Sequence, residues 1–274
     1  MSARVPFTKM SGAGNDFVVL SGSAWAELPG EPARWIKGVC RRGVSVGADG
    51  VLVVSLDGAG RVLVSFFNPD GGEAFCGNGS RCAARFAVTR GLTTASSMVL
   101  STSIGDVPAV VTGDVVSLTL PAPEDRGEVV LASTAGEFHA RFVVAGGPHL
   151  VVPVSGLASY PIERVAPELR RHPALGPEGA NVNLVEDDAS GRVHVRTFER
   201  GVESETLACG TGAVAVACAA RRGAGAMVIV VPRSGLPLSV TLPGAERPGF
   251  AQLTGDARFV FEGVLDPEAI VGSP

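Results

Sequence analysis

One short pattern occurs twice in this chain of 274 residues. Cys76-Gly-Asn-Gly and Cys209-Gly-Thr-Gly stand 133 residues apart, and each opens a run of small apolar residues long enough for a helix. Other features recur in the same order at nearly the same distance. An apolar run at 17–20 is echoed at 151–154, and an amphipathic helical pattern at 31–42 by one at 162–172. Gly105 ahead of a strand pair is echoed by Gly235 ahead of another. One repeated tetrapeptide can arise by chance; four matches in one order point to duplication. Such a chain must fold as two similar halves, and its length suits two domains of ordinary size. The stretch 121–128, which contains Pro and Gly, is the natural boundary. The halves are then 1–122 and 123–261, with 262–274 available to complete the first.

Between Gly and Pro punctuation the chain reads mostly as short β-strands, at 17–20, 51–55, 62–68, 107–111, 115–120, 137–144, 150–154, 193–198, 227–231, 236–242 and 257–261. Helical patterns are few: 31–42, 79–90, 162–172 and 212–222. Gly91 and Gly223 follow the two small-residue helices as expected C′ residues. Hydrophobic residues make up 46% and charged residues 18%, ample for buried cores and contrary to disorder. A net charge of −4 without a basic run argues against a nucleic-acid surface. The longest near-apolar stretch, 208–220, is too short to span a bilayer, and the N-terminus lacks a long apolar leader. The expectation is a soluble, cytoplasmic protein.

Five cysteines with no Cys-x-x-Cys pair argue against a disulfide scaffold and a zinc ribbon, and no other ligand spacing suggests a metal. Lysine occurs only at 9 and 37, so a pyridoxal phosphate would have two candidate anchors, neither in a persuasive context.

The repeated motif carries the chemistry. A cysteine at a helix start meets unpaired N–H groups and the positive end of the helix dipole, which favour a thiolate. The glycines that follow leave the amides of 77–79 and 210–212 unshielded, so two such nests could grip a carboxylate. In a duplicated fold, Cys76 and Cys209 would lie on opposite sides of one cleft. One thiolate could remove a proton from one face of a carbon while the other thiol delivers a proton to the opposite face. The helix-end donors would stabilise the enediolate between the two steps. Cys40, Cys82 and Cys218 lack this context and are read as buried packing residues.

These residues, with others in fixed order, make the chain resemble the diaminopimelate epimerase family. The resemblance runs through Lys9-Met-Ser-Gly-Ala-Gly-Asn-Asp-Phe17, Gly47-Ala-Asp-Gly50 and Phe67-Asn-Pro-Asp-Gly-Gly-Glu-Ala-Phe-Cys-Gly-Asn-Gly-Ser-Arg-Cys82. It continues through Pro148-His149, Ala180-Asn181-Val182, Glu199-Arg200-Gly201 and Glu205-Thr-Leu-Ala-Cys-Gly-Thr-Gly212, and so spans nearly the whole chain. It implies an α/β (α+β) fold of two pseudo-symmetric halves, each a β-barrel-like sheet around a central helix. It also implies a cofactor-free isomerase that interconverts LL- and meso-diaminopimelate for lysine and peptidoglycan biosynthesis. Cys76 and Cys209 become the acid/base pair. Gly77, Asn78, Gly210 and Thr211 line the helix ends, and Asn15, Asn68 and Asn181 hold polar groups of the substrate. Glu199 and Arg200 suit an ammonium and a carboxylate, and His149 and Glu199 would tune the thiols. The implied partner is a small molecule, with no nucleic acid and no membrane; a homodimer is left open.

Simpler roles compete at several positions. Asn15 and Asn68 are in turn-like contexts, His149 could be structural, and Glu199–Arg200 could be an exposed ion pair. The chain departs from the family pattern at Gly147, where many members have Asn, and at Gly50, where some have Gln. The 199–209 segment is one residue longer than usual. A broader amino-acid racemase therefore stays open, as do a proline-racemase-like relative and a binding protein on the same fold. A dinucleotide-dependent oxidoreductase is suggested by Gly210-Thr-Gly-Ala-Val-Ala215. The preceding strand ends near Phe198, and no acidic residue stands about 20 positions on, both contrary to that fingerprint.

Overall fold

The computed structural model describes residues 4–220 and 223–270. The ends of two expected segments, 221–222 and 271–274, and residues 1–3 of the N-terminus lie outside the described residues. The chain divides into two compact units, 1–118 with 255–274, and 119–254.

The first unit opens with a hairpin, β1 (Val5–Gly12) and β2 (Asn15–Ser21). Its two-residue turn, Ala13-Gly14, has positive φ at both positions (53° and 102°), the backbone that a right-twisted hairpin favours. Ala13 is held there by its N–H donating to Asp256 Oδ1 at 2.8 Å. Helices α1 (Gly22–Ala26) and α2 (Pro32–Val39) lead to β3 (Gly50–Leu56), which lies parallel to β2. Then come β4 (Val62–Phe67), β5 (Glu73–Ala74), α3 (Gly77–Thr89), β6 (Ser97–Thr102), β7 (Gly105–Thr112) and β8 (Val115–Pro121). Helix α3 packs against β1, β2, β3, β4, β6 and β7, so strands surround it.

The second unit contains β9 (Glu124–Ser133), β10 (Gly136–Val144), β11 (Pro148–Pro153), α4 (Ile162–Arg170), β12 (Asn181–Asp187), β13 (Val193–Glu199) and β14 (Ser204–Thr206). It continues with α5 (Gly210–Ala219), β15 (Met227–Val231), β16 (Leu238–Thr241) and β17 (Phe250–Asp256). Helix α5 packs against β10–β13, β15 and β16. The last strand, β18 (Arg258–Leu265), pairs antiparallel with β1 of the first unit.

The two units repeat one order of pairings. β2 lies parallel to β3, β3 antiparallel to β4, β4 parallel to β6, and β6 antiparallel to β7. β11, β12, β13, β15 and β16 follow the same sequence of parallel and antiparallel steps. The register gives residue-level equivalence: Phe17 pairs with Gly50 as His149 pairs with Asn181, so Phe17 corresponds to His149. The apolar run at 17–20 therefore matches 149–152, two residues earlier than the sequence comparison places it.

Each unit has its own core. Val18, Leu20, Trp35, Ile36 and Val51 anchor the first, and Leu131, Leu150, Leu184, Phe198 and Leu169 the second. Each such side chain contributes roughly 1.5–3 kcal/mol on burial. Helix α5 is apolar on every side, built from Gly, Ala, Val, Thr and Cys, and is buried from Gly212 to Ala217. Such a helix belongs inside a sheet rather than on its surface, and its small side chains let the strands come close.

The sheet-dominated, mixed α/β expectation agrees with this architecture, and four differences have physical causes. The two small-residue helices start at Gly77 and Gly210, two residues earlier than expected, because the cysteines themselves are the caps. Gly91 does take the C′ position, with φ of 69° and its N–H on the Val88 carbonyl at 3.1 Å. Gly223 does not, because α5 ends at Ala219. Strand β9 occupies much of the stretch read as a linker: its charged, mostly exposed residues carry no apolar alternation, yet they pair along β10.

Candidate active site

The Cys76 end of α3 comes first. Cys76 has extended backbone (φ −135°, ψ 111°), and its sulfur accepts the Gly79 N–H at 3.3 Å. This is the N-cap arrangement with sulfur in place of the usual side-chain oxygen. The amides of Gly77 and Asn78, at the first two helical positions, have no intrahelical acceptor by the geometry of a helix start. Gly79 is required by space: a Cβ there would stand 3.1 Å from Leu52 Cδ2 on β3 and 3.6 Å from the sulfur. The Cys76 side chain is partly exposed, as a reacting thiol must be.

A polar scaffold flanks this helix end. Asn78, fully buried, donates from Nδ2 to Asn15 Oδ1, and its own Oδ1 has no protein partner. Asn15 in turn donates to Asp49 Oδ2 at 3.0 Å. Asp49 and Asp16 are both held by Arg42, at 2.7 Å for Asp49 Oδ1. Burial pushes the Asp16 carboxyl up, but hydrogen bonds from Arg42 and Lys9 outweigh it and hold the group below the usual carboxylate range. Asn15 is thus no idle turn residue. Asn68 is one: its N–H bonds the Gly72 carbonyl and its carbonyl accepts from Gly71, both at 2.9 Å. It follows β4 directly. Lys9 is committed to Asp16 at 2.6 Å, and Lys37 is exposed on α2, so neither lysine stands as a poised amine.

Cys209 repeats the cap of Cys76. Its backbone angles are −126° and 116°, and its sulfur accepts the Gly212 N–H at 3.4 Å. Thr211 Oγ1 lies 3.5 Å from the sulfur. Gly210 and Thr211 occupy the first two helical positions. A Cβ on Gly212 would stand 2.7 Å from Asn183 Oδ1 on β12, so glycine is required here too.

The remaining expected residues of the second unit form one network. Asn181 donates to the Pro148 carbonyl at 3.2 Å and accepts the Arg200 N–H at 2.8 Å, fixing the backbone from which Arg200 projects. Arg200 pairs with Glu178 at 2.7 Å rather than with its neighbour Glu199. Glu199 accepts from Thr206 Oγ1 at 3.0 Å across the β13–β14 pair. His149 is fully buried. Burial pushes its pKa down to about 3 against a lesser pull from the Ala145 backbone, and the Arg200 charge lowers it further. Its ring is therefore neutral at pH 7 and acts only as a dipole.

Beneath the two caps the units differ. Under α3 the register places Phe17, Leu52 and Phe66, with the two rings edge to face at 5.9 Å between centroids. At the equivalent positions under α5 stand His149, Asn183 and Thr197. Thr197 Oγ1 donates to Asn183 Oδ1 at 3.0 Å, and Asn183 Nδ2 donates to the Leu150 carbonyl at 3.2 Å. The same Nδ2 lies 3.2 Å from His149 Nδ1. Asn183, Thr197, Asp49 and Arg42 were not singled out from the sequence. For Asn183 a signal existed, since it is a polar residue two positions after Asn181 inside an apolar strand pattern.

The three departures from the family pattern also find physical terms. Gly50 leaves no room for any side chain, because a Cβ would fall 2.3 Å from the Phe66 ring and 2.6 Å from the Phe67 carbonyl oxygen. Gly147 is open, with only Arg200 Nη2 within 4 Å, at 3.8 Å. The longer 199–209 segment forms a turn in which Glu203 takes a left-handed conformation (φ 57°) and its carboxylate grips Arg170 and Arg171 of α4.

Cys40 and Cys82 are buried, and burial pushes each thiol up to about 12, in keeping with packing roles. Cys218, read as buried, is partly exposed near the end of α5. A cavity of about 610 Å³ in the second unit opens at that end of α5, lined by Val216, Ala219 and Ala220, and holds none of the site residues above. Among the described residues no cluster of three His, Cys, Asp or Glu side chains could hold a metal, and no helix is long and apolar enough to cross a membrane.

Comparison with known proteins follows the same lines. A family model described as Diaminopimelate epimerase matches residues 7–120 and 141–260. A diaminopimelate epimerase from Gemmatimonas aurantiaca is 39% identical, covering 94% of this chain and 98% of its own length. One from Aquifex aeolicus is 36% identical, covering 96% and 99%. Among solved structures, a phenazine biosynthesis protein of the PhzF family from Bacillus anthracis superposes with a TM-score of 0.76 at 16% identity, covering 96% of this chain and 99% of that one. A hydroxyproline epimerase from Agrobacterium vitis gives 0.71 at 17% identity, covering 97% and 94%. At such low identity the two structures speak for the fold alone.

Proposed function

We propose, for a chain that belongs to the diaminopimelate epimerase family, that it interconverts LL- and meso-2,6-diaminopimelate by proton transfer between two thiols. The observation that carries this reading is the pair of matching sulfur caps at Cys76 and Cys209, on the central helices of two units built to one plan. In the reading, the two helix ends address opposite faces of one α-carbon. A thiolate takes the α-proton, and the C–H electron pair passes into the carboxylate to give an enediolate. The opposite thiol then protonates the carbon from the other side. One thiolate and one thiol remain at the end with their roles exchanged, so the cycle balances without oxidant, metal or cofactor. The amides of Gly77, Asn78, Gly210 and Thr211 are the donors suited to the developing charge. The unpartnered, buried Oδ1 of Asn78 suits a substrate N–H. Arg200, with its backbone fixed by Asn181, suits a second carboxylate. The enzyme works in the cytoplasm, and its product serves lysine and peptidoglycan synthesis.

A second reading, a broader amino-acid racemase, is favoured by one observation: Gly147 leaves open space beside Arg200, where a substrate-holding side chain would otherwise reach. Chiral chromatography of LL-diaminopimelate, L-glutamate and L-proline after incubation with reduced, cofactor-free protein separates the two. Inversion of diaminopimelate alone is the expected result. Comparable inversion of glutamate establishes the broader enzyme, and inversion of none rejects both.

A further inference from the structure

Helix α3 carries a charge that its counterpart lacks. Arg81, the fifth residue after the Cys76 cap, is completely buried. Its Nε donates to the Asp256 carbonyl oxygen at 3.3 Å, while Nη1 and Nη2 have no hydrogen-bond partner. The fifth residue after Cys209 is Val214, and α5 has no charged residue from Gly210 to Ala219.

A buried guanidinium near the positive end of a helix is poorly placed unless an anion faces it. Long side chains on a helix lean toward its N-terminus, which brings this one back toward the cap. Three groups that can be anionic lie in its field: Cys82, Asp256 and Cys76. Cys82 stays protonated, because burial drives it up to about 12. The Asp256 carboxylate is already engaged, accepting from Ala13 N–H at 2.8 Å and pairing with Arg258 at 2.7 Å. Cys76 is the group that remains.

We propose that Arg81 is the fixed counter-charge that holds Cys76 as the thiolate of the resting enzyme, leaving the proton on Cys209. Arg81 is thus a positioning residue: it acts through Cys76 and does not itself exchange a proton. Both thiols have the same helix-end setting, so the helix alone gives neither thiol an advantage; a single buried cation on one side breaks the tie. The free enzyme is then loaded to take a proton from the α-face that Cys76 addresses. The reverse reaction begins from the less populated arrangement. This inference rests on the two-thiol reading above and deepens it.

The test is the pH dependence of alkylation at each cysteine in the substrate-free, reduced enzyme, using iodoacetamide and peptide mass spectrometry. In the wild type, the Cys76 peptide is expected to label with a midpoint about one pH unit below that of Cys209. Arg81→Met should raise the Cys76 midpoint by about one unit and leave Cys209 in place, and Arg81→Lys should restore most of the difference. Equal midpoints in the wild type, or a lower one for Cys209, overturn the proposal, and this holds even if the Met variant does not fold. An unchanged Cys76 midpoint in a folded Met variant overturns it as well. Failure of the parent reading is seen elsewhere: turnover that survives loss of either thiol removes the two-thiol mechanism whatever the midpoints are.

Discussion

The two helix ends are alike where they meet chemistry and unlike where they meet the core. Each presents a sulfur cap, two open amides and a glycine pressed against the second strand of a parallel pair. Behind the caps, the first unit places Phe17, Leu52 and Phe66 and a buried Arg81, while the second places His149, Asn183, Thr197 and Val214. Duplication therefore preserved the reacting face and let the support diverge. A two-base mechanism needs this combination. Opposite-handed delivery demands matching geometry, whereas holding one proton between two thiols demands unequal surroundings.

The comparison can be broken at graded cost. Cys76→Ala and Cys209→Ala remove the shared part, and each should lower epimerisation by at least about 10²–10⁴-fold with the fold intact by circular dichroism. Full activity in either variant would break the equivalence of the two ends. Importing the second unit's chemistry into the first, by Leu52→Asn, buries an amide among Phe17 and Phe66 and loses an apolar contact. Urea unfolding should show a loss of about 3–5 kcal/mol. The converse change, Asn183→Leu, strips partners from Thr197, the Leu150 carbonyl and His149. It should cost less, about 1–3 kcal/mol. If the two exchanges cost the same, the contrast between apolar and hydrogen-bonded supports has no energetic content.

A smaller effect sharpens the contrast through pH. The folded His149 pKa, about 3, lies below its ordinary 6.5, so the unfolded chain binds the proton more readily. Its contribution is complete above pH 6.5 and is lost as pH falls toward 3. His149→Phe, which installs the first unit's residue, should therefore flatten the stability decline between pH 6.5 and 4 by up to one proton. Denaturant midpoints at a series of pH values read this directly. Smallest of all, Cys40→Ala should leave turnover unchanged, because that thiol is buried away from both caps and stays protonated.

Much of this was legible in the sequence, for reasons that can be named. The cysteine caps were visible because a Cys before a Gly-x-Gly helix start is a local signal, and its recurrence at a fixed spacing gave the duplication. The central helices were visible because small apolar residues persist over three turns. Helix α1 was not, since five residues carry too little pattern, and β9 was hidden by its charges. The networks behind the caps were hidden for a deeper reason. Asn15 reaches Asp49 across 34 residues and Asn183 reaches His149 across 34, so their roles exist only once strands are in register. The partner of Arg200 was misjudged on the same ground: Glu199 is adjacent in sequence, but consecutive residues on a strand point apart, and Glu178 takes the ion pair.

The central claim, that one α-carbon is inverted by proton exchange between two thiols, is tested most directly by NMR in D₂O. Reduced wild-type protein would be incubated with LL-diaminopimelate and no added cofactor, and the α-hydrogens followed as the meso form appears. The account predicts meso product whose inverted carbon carries deuterium, because the delivering thiol has equilibrated with solvent before it reacts. Inversion with full retention of the original hydrogen would contradict the two-thiol pathway, and absence of both exchange and inversion with Cys76 and Cys209 shown to be reduced would contradict the assigned reaction.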